Sequence, residues 1–140
     1  MDEARIARIE SSFNLLAHRA DELADRFYAT LFSRHSTLRE MFPAEMLSQK
    51  KKLVASLVFV VKSLRKPDEL RDALLHLGAR HNNYGTEPEQ YGAVRDALLD
   101  VMSEMAGDVW TDELTADWTA AINHVAEVMI EGQKQAALQA

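Results

Sequence analysis

The side chains best placed to do chemistry in this 140-residue chain are its five histidines, His18, His35, His76, His81 and His124, set among 22 acidic and 16 basic residues. There is no cysteine. That removes disulfides, thiolate metal sites, a thioether-attached prosthetic group and a cysteine nucleophile together. A hydrolytic metal centre needs several ligands at fixed spacing, but no His-Glu-x-x-His occurs, and His76 and His81 diverge around a helix. No Gly-rich phosphate loop or nucleophile elbow is present. His18, His35 and His76 sit among polar neighbours and are expected in solvent, and His124 has no clear inward direction. His81 stands apart. It continues the helical stripe of Leu70, Leu74 and Leu77 and falls in the last turn before Asn82-Asn83-Tyr84-Gly85. Two readings are open: a core histidine satisfied by a carbonyl, or a ligand facing a cavity.

The elements that must position His81 are helices. Only five Gly and three Pro punctuate the chain, and no stretch alternates apolar and polar residues as a strand would. Ile6, Ile9, Phe13 and Leu16 mark one helical face; Leu23, Phe27 and Leu31 mark a second, with Tyr28 beside it. A short turn is expected from Thr37 to Phe42, where Thr37 and Glu40 have capping-box spacing and Pro43 stops the helix. A long helix is expected over 47–64, with Leu53, Leu57, Val60, Val61 and Leu64 inward. Pro67 opens the helix that ends near His81. Thr86 and Glu89 suggest a cap for the next, with Tyr91, Val94, Leu98, Met102 and Met105 on its inner face. After Gly107-Asp108, a final helix from about Thr111 is expected to bury Leu114, Trp118, Ile122, Val125 and Met129. The expectation is an all-α domain over residues 1–140, with six to seven helices in crossed packing.

The net charge of −6 opposes nucleic-acid binding, which needs a basic footprint. The run Lys50-Lys51-Lys52 is expected to be a solvated face. The most apolar stretch, Leu53 to Val61, is far short of the roughly 20 residues that span a bilayer, and no signal-peptide core is present. A cytoplasmic location is the expectation. One chemistry suits a single histidine in an apolar helical box: haem iron, which needs one protein ligand and leaves its other face open to a gas.

The chain resembles the single-domain bacterial globins, similar to the globin part of flavohaemoglobins. The resemblance spans nearly the whole sequence. It rests on Phe27-Tyr28-Ala29-Thr30-Leu31-Phe32, Arg39-Glu40-Met41-Phe42-Pro43, Gln49 followed by Leu53, Leu77-Gly78-Ala79-Arg80-His81, Tyr84-Gly85, Pro88-Glu89-Gln90-Tyr91 and the stretch Trp118–Met129. It implies a globin fold around non-covalent haem b, with His81 as the iron ligand and Tyr28 and Gln49 stabilising the distal ligand. The implied haem contacts are Phe42, Lys52, Leu53, Leu77, Arg80, Tyr84, Tyr91, Val94 and Leu98, with Leu57 in the apolar lining. One departure is expected. Gln133 falls where the family carries a glutamate near the proximal histidine and Tyr91, so the push on the iron should be weaker. Glu131, about 200° around the helix from it, cannot replace that glutamate.

The implied activity is reversible binding of O2, CO and NO by a monomer or homodimer. The alternatives are an NO dioxygenase and a haem-based gas or redox sensor. With the chain ending soon after the closing helix, the dioxygenase would need a separate reductase.

Overall fold

The computed structural model describes residues 1–83 and 87–139, with backbone alone at positions 82 and 83. Six α-helices and two 3-10 turns follow in order: α1 (Glu3–Ala17), α2 (Ala20–Arg34), a turn over Ser36–Met41, α3 (Leu47–Ser63), α4 (Pro67–Asn83), α5 (Pro88–Ala106), a turn over Gly107–Val109, and α6 (Asp112–Gln139). No strand occurs among the described residues.

Local chemistry sets the helix ends. Asp2 caps α1 by accepting from the Arg5 backbone N–H at 2.8 Å, and Thr111 Oγ1 does the same for Leu114 at 3.1 Å at the start of α6. Phe42, held extended ahead of Pro43, closes the first 3-10 turn. Gly107 sits at φ +61°, a conformation a side chain would strain, and breaks α5 from α6.

Two helix starts differ from the sequence expectation. The Ser36–Met41 turn begins from His35 with no side-chain cap, so Thr37 and Glu40 stay exposed instead of forming a box. At α5 the first residue outside the helix is Glu87, whose N–H donates to Gln90 Oε1 at 2.8 Å; Gln90, rather than Glu89, closes back on the helix start. Thr86, Tyr84 and Gly85 lie outside the described residues.

The core gathers one stripe from each helix: Ile6, Ile9 and Leu16; Leu23, Phe27 and Leu31; Val61 and Leu64; Leu70 and Leu74; Leu98, Val101 and Met102; Leu114 and Trp118. The α6 stripe differs from the sequence expectation. Ala121 and Val128 are buried, whereas Ile122 and Val125 are half-buried, because small residues let α6 press closest to α4. A Cβ on Gly78 would sit 2.0 Å from the Met129 carbonyl oxygen, and one on Gly132 would sit 2.2 Å from that of Leu75. Each helix thus uses a glycine to admit the other's backbone.

Candidate haem site

The distal candidates come from α2 and α3. Tyr28 lies one residue past the fully buried Phe27, so it is carried at the core's edge, 5% exposed. Its ring packs against Phe27 (4.9 Å between centroids), Phe32 (5.7 Å) and Phe42 (5.7 Å), and Phe32 meets Phe42 at 5.3 Å. Such pairs contribute roughly 0.5–1.5 kcal/mol each beyond area burial. The Arg39 guanidinium lies over Phe32 at 5.4 Å and donates to the carbonyls of Phe42 and Pro43, which fixes the corner that places Phe42. Gln49, in the first turn of α3, donates from Nε2 to Tyr28 Oη at 3.4 Å. The tyrosine oxygen is therefore the acceptor, and its own O–H remains a donor. Burial pushes the Tyr28 hydroxyl above its usual range, with the Gln49 bond a lesser opposing influence. It stays protonated at neutral pH.

The proximal candidates come from α4, α5 and α6. His81, half-buried, has Nδ1 2.8 Å from the Leu77 carbonyl oxygen. A carbonyl can only accept, so Nδ1 carries a proton; in the neutral imidazole the lone pair is then on Nε2, the tautomer a metal ligand needs. The Tyr91 ring lies 6.5 Å from that of His81, and Tyr91 Oη donates to Gln133 Oε1 at 3.0 Å. Burial raises the Tyr91 hydroxyl as well. Glu131 instead faces Arg71, bonded at 2.7 Å on the opposite side of α6.

The structure thus forms two groups from residues far apart in sequence: Tyr28, Phe42 and Gln49, and then His81, Tyr91 and Gln133. Leu53, Leu57, Leu77 and Val94 are half-buried and rest on the core, which suits a lining surface. Leu98 is 3% exposed and belongs to the core itself. Lys52 and Arg80 are exposed and form no ion pair among the described residues. His18, His35, His76 and His124 are all exposed. Tyr84 falls outside the described residues.

Reading by sequence pattern missed one group. Asp117, 1% exposed on α6, accepts from Arg8 Nε at 2.6 Å and Arg5 Nε at 3.0 Å. The arginines hold its carboxyl below the usual range. Its signal was a lone acid beside an inward Trp118, opposite an i, i+3 arginine pair. That pair clasps α1 to α6.

Among the described residues no group of three or more His, Asp or Glu converges to hold a bare metal ion. A porphyrin needs no such group, since it brings four nitrogens and asks the protein for one axial donor, apolar walls and a few polar contacts. The residues present fit that demand.

A sequence model of the Globin family matches residues 25–129. The chain is a globin. Membership supports haem binding by this globin. It is 26% identical over 124 residues to a flavohemoprotein of Rhizobium meliloti, covering 86% of this chain and 31% of the relative. The chain therefore spans about a third of that relative's length. In fold, the globin superposes on a bacterial globin from Campylobacter jejuni with a TM-score of 0.84 at 20% identity, covering 96% of this chain and 97% of that one. It also superposes on the flavohemoglobin of Malassezia yamatoensis, solved with bound FAD and heme. There the TM-score is 0.81 at 18% identity, over 96% of this globin and 37% of the other chain. No described helix is long and apolar enough to cross a membrane.

Proposed function

We propose that this globin holds haem b on His81 and reversibly binds O2, with CO and NO as further ligands, beside Tyr28 and Gln49. The observation that carries the reading is the direction of the Gln49–Tyr28 hydrogen bond. Gln49 donates to Oη, so the phenolic proton is left to serve a ligand. A haem held there would supply an iron able to bind a diatomic gas. The Tyr28 O–H would donate to a gas held beside it, and the Gln49 amide behind its oxygen would strengthen that donation. His81 would hold the iron through Nε2, with Nδ1 donating to the Leu77 carbonyl. Phe42, Leu53, Leu57, Leu77 and Val94 exclude water and protons from the site. Lys52 and Arg80 supply positive charge for the carboxylates at the porphyrin's edge.

The test is an absorption spectrum of purified protein, oxidised, reduced and with CO, alongside His81→Gly. A Soret band that loses its axial signature in the variant supports the reading. A variant that keeps its pigment with an unaltered axial spectrum overturns it, as does colourless protein that refuses hemin.

A second reading is NO dioxygenation, in which NO, O2 and one electron give nitrate. It is favoured by the flavohemoprotein relative, whose match to this chain covers the globin-sized third. The electron would come from a reductase. Mixing reduced protein equilibrated with O2 against NO in a stopped-flow cell tests the chemistry, and repeated turnover with a reductase tests the cycle.

A further inference from the structure

The charge of this globin is unevenly placed. The chain is net acidic, yet no Asp or Glu lies between Leu47 and Lys66, and five of its six lysines do. The exposed residues of α3 are Leu47, Ser48, Lys51, Lys52, Ala55, Phe59 and Lys62, which recur at helical spacing and form one outward stripe. Lys50 turns aside to pair with Asp25 at 3.0 Å, and Arg65 pairs with Glu3 and Glu10. Lys51 and Lys62 form no ion pair among the described residues, whereas Lys52, three residues after Gln49, borders the haem-lining face and keeps the role given to it above. Between them Phe59 is 43% exposed and Leu47 59%. The opposite face of the same helix carries Gln49, Leu53 and Leu57.

We propose that this outer face of α3 docks an acidic one-electron donor protein, an inference that rests on the haem reading above. Three physical points select that occupant. First, unpaired lysines in an otherwise acidic chain give a local positive field that orients an acidic partner and opposes other approaches. Second, the stripe is small, about 25 Å of helix one residue-face wide, which fits a transient redox encounter and not an obligate interface. Third, a partner seated there lies one helix diameter, roughly 10 Å, from the residues proposed to line the haem. An anionic membrane fits less well. It is an extended plane that would also face the acidic remainder of the surface, whereas a protein partner need touch only the stripe. The electron step balances without a proton: an anionic flavin hydroquinone gives one electron to ferric iron and becomes the neutral semiquinone.

The probe is reduced flavodoxin, a small acidic flavin protein, mixed with the ferric globin at several ionic strengths. The expected second-order reduction rate falls with added salt. Lys51→Glu/Lys62→Glu should slow it about tenfold at low salt. Lys134→Glu, on α6, should leave it near wild type. A rate indifferent to salt, or slowed equally by Lys134→Glu, overturns the proposal. The Soret spectrum of each variant separates this from failure of the haem reading. If no pigment binds, the haem reading fails; titration of oxidised flavodoxin against nitrogen-15-labelled globin still reads the stripe, and shifts absent from α3 overturn the docking. Two further arms name rival occupants. Sedimentation with phosphatidylserine vesicles, or self-association lost in the double variant while flavodoxin reduction is unchanged, assigns the stripe to lipid or to a second copy and overturns it.

Discussion

Tyr91 on α5 donates its hydroxyl to the amide oxygen of Gln133 on α6, 3.0 Å away, and its ring lies 6.5 Å from the imidazole of His81. The group that holds the tyrosine is neutral. A carboxylate at that position would place a negative charge behind Tyr91, close enough to raise the electron-donating power of the imidazole. Gln133→Glu should therefore raise the iron–histidine stretching frequency of the ferrous protein in resonance Raman spectra. Wild type should fall below flavohaemoglobin-like globins that carry the glutamate. An unchanged frequency in the variant would show that Gln133 does not tune the ligand.

Removal of the Tyr28 hydroxyl tests the distal pair. A hydrogen bond to a partly charged ligand is worth about 1.4 kcal/mol, near tenfold in rate. Tyr28→Phe should speed O2 dissociation by about that factor and leave CO, a poorer acceptor, less affected. Flash photolysis and stopped-flow displacement measure both. Equal changes for the two gases would remove the role given to Tyr28.

Three similar substitutions, two at the α4–α6 crossing and one in α5, should differ in sign. Gly78→Ala and Gly132→Ala each drive a methyl into a backbone carbonyl, at 2.0 and 2.2 Å, and should destabilise by about 2 kcal/mol or more. Gly92→Ala meets nothing nearer than the Arg95 guanidinium at 3.7 Å. It lies within α5 and should stabilise by about 0.5–1 kcal/mol through helix propensity. Urea midpoints at neutral pH distinguish the three.

Asp117 predicts an acid limb. Hydrogen bonds from Arg8, and then from Arg5, depress its folded value below the ordinary 3.8. A depressed carboxyl contributes stability that is present in full above its unfolded value. That stability is lost as pH falls through the lower, folded one. Wild type should therefore lose stability steeply below about pH 4, and Asp117→Asn, less stable at neutral pH, should show a flatter decline there. Denaturation midpoints at pH 7 and pH 3 check this, and parallel acid limbs would sink it.

The helices were legible in sequence because each buries one stripe, and a stripe at 3.6-residue spacing is a local property of the chain. Leu70, Leu74 and Leu77 share one face of α4 with His81, and Pro43, Pro67 and Gly107 mark the breaks. Thr37 makes no cap, and Gln90 serves at the start of α5 where Glu89 is expected, since several residues near a helix start can serve and small packing differences choose among them. Asp117 was illegible because a buried acid is tolerated only where a partner arrives, and its partners lie more than a hundred residues away in α1.

The order of residues alone determined an all-helical chain, a histidine that continues the leucine stripe of one helix, and the resemblance to the globins. Tertiary structure decided what no local pattern contains. It seated Gln49 against Tyr28, Gln133 against Tyr91, and the two backbones of α4 and α6 against each other at Gly78 and Gly132. Periodicity acts within a single helix. Which donor meets which acceptor depends on how helices cross, and that is set by side chains fitting together across the whole core.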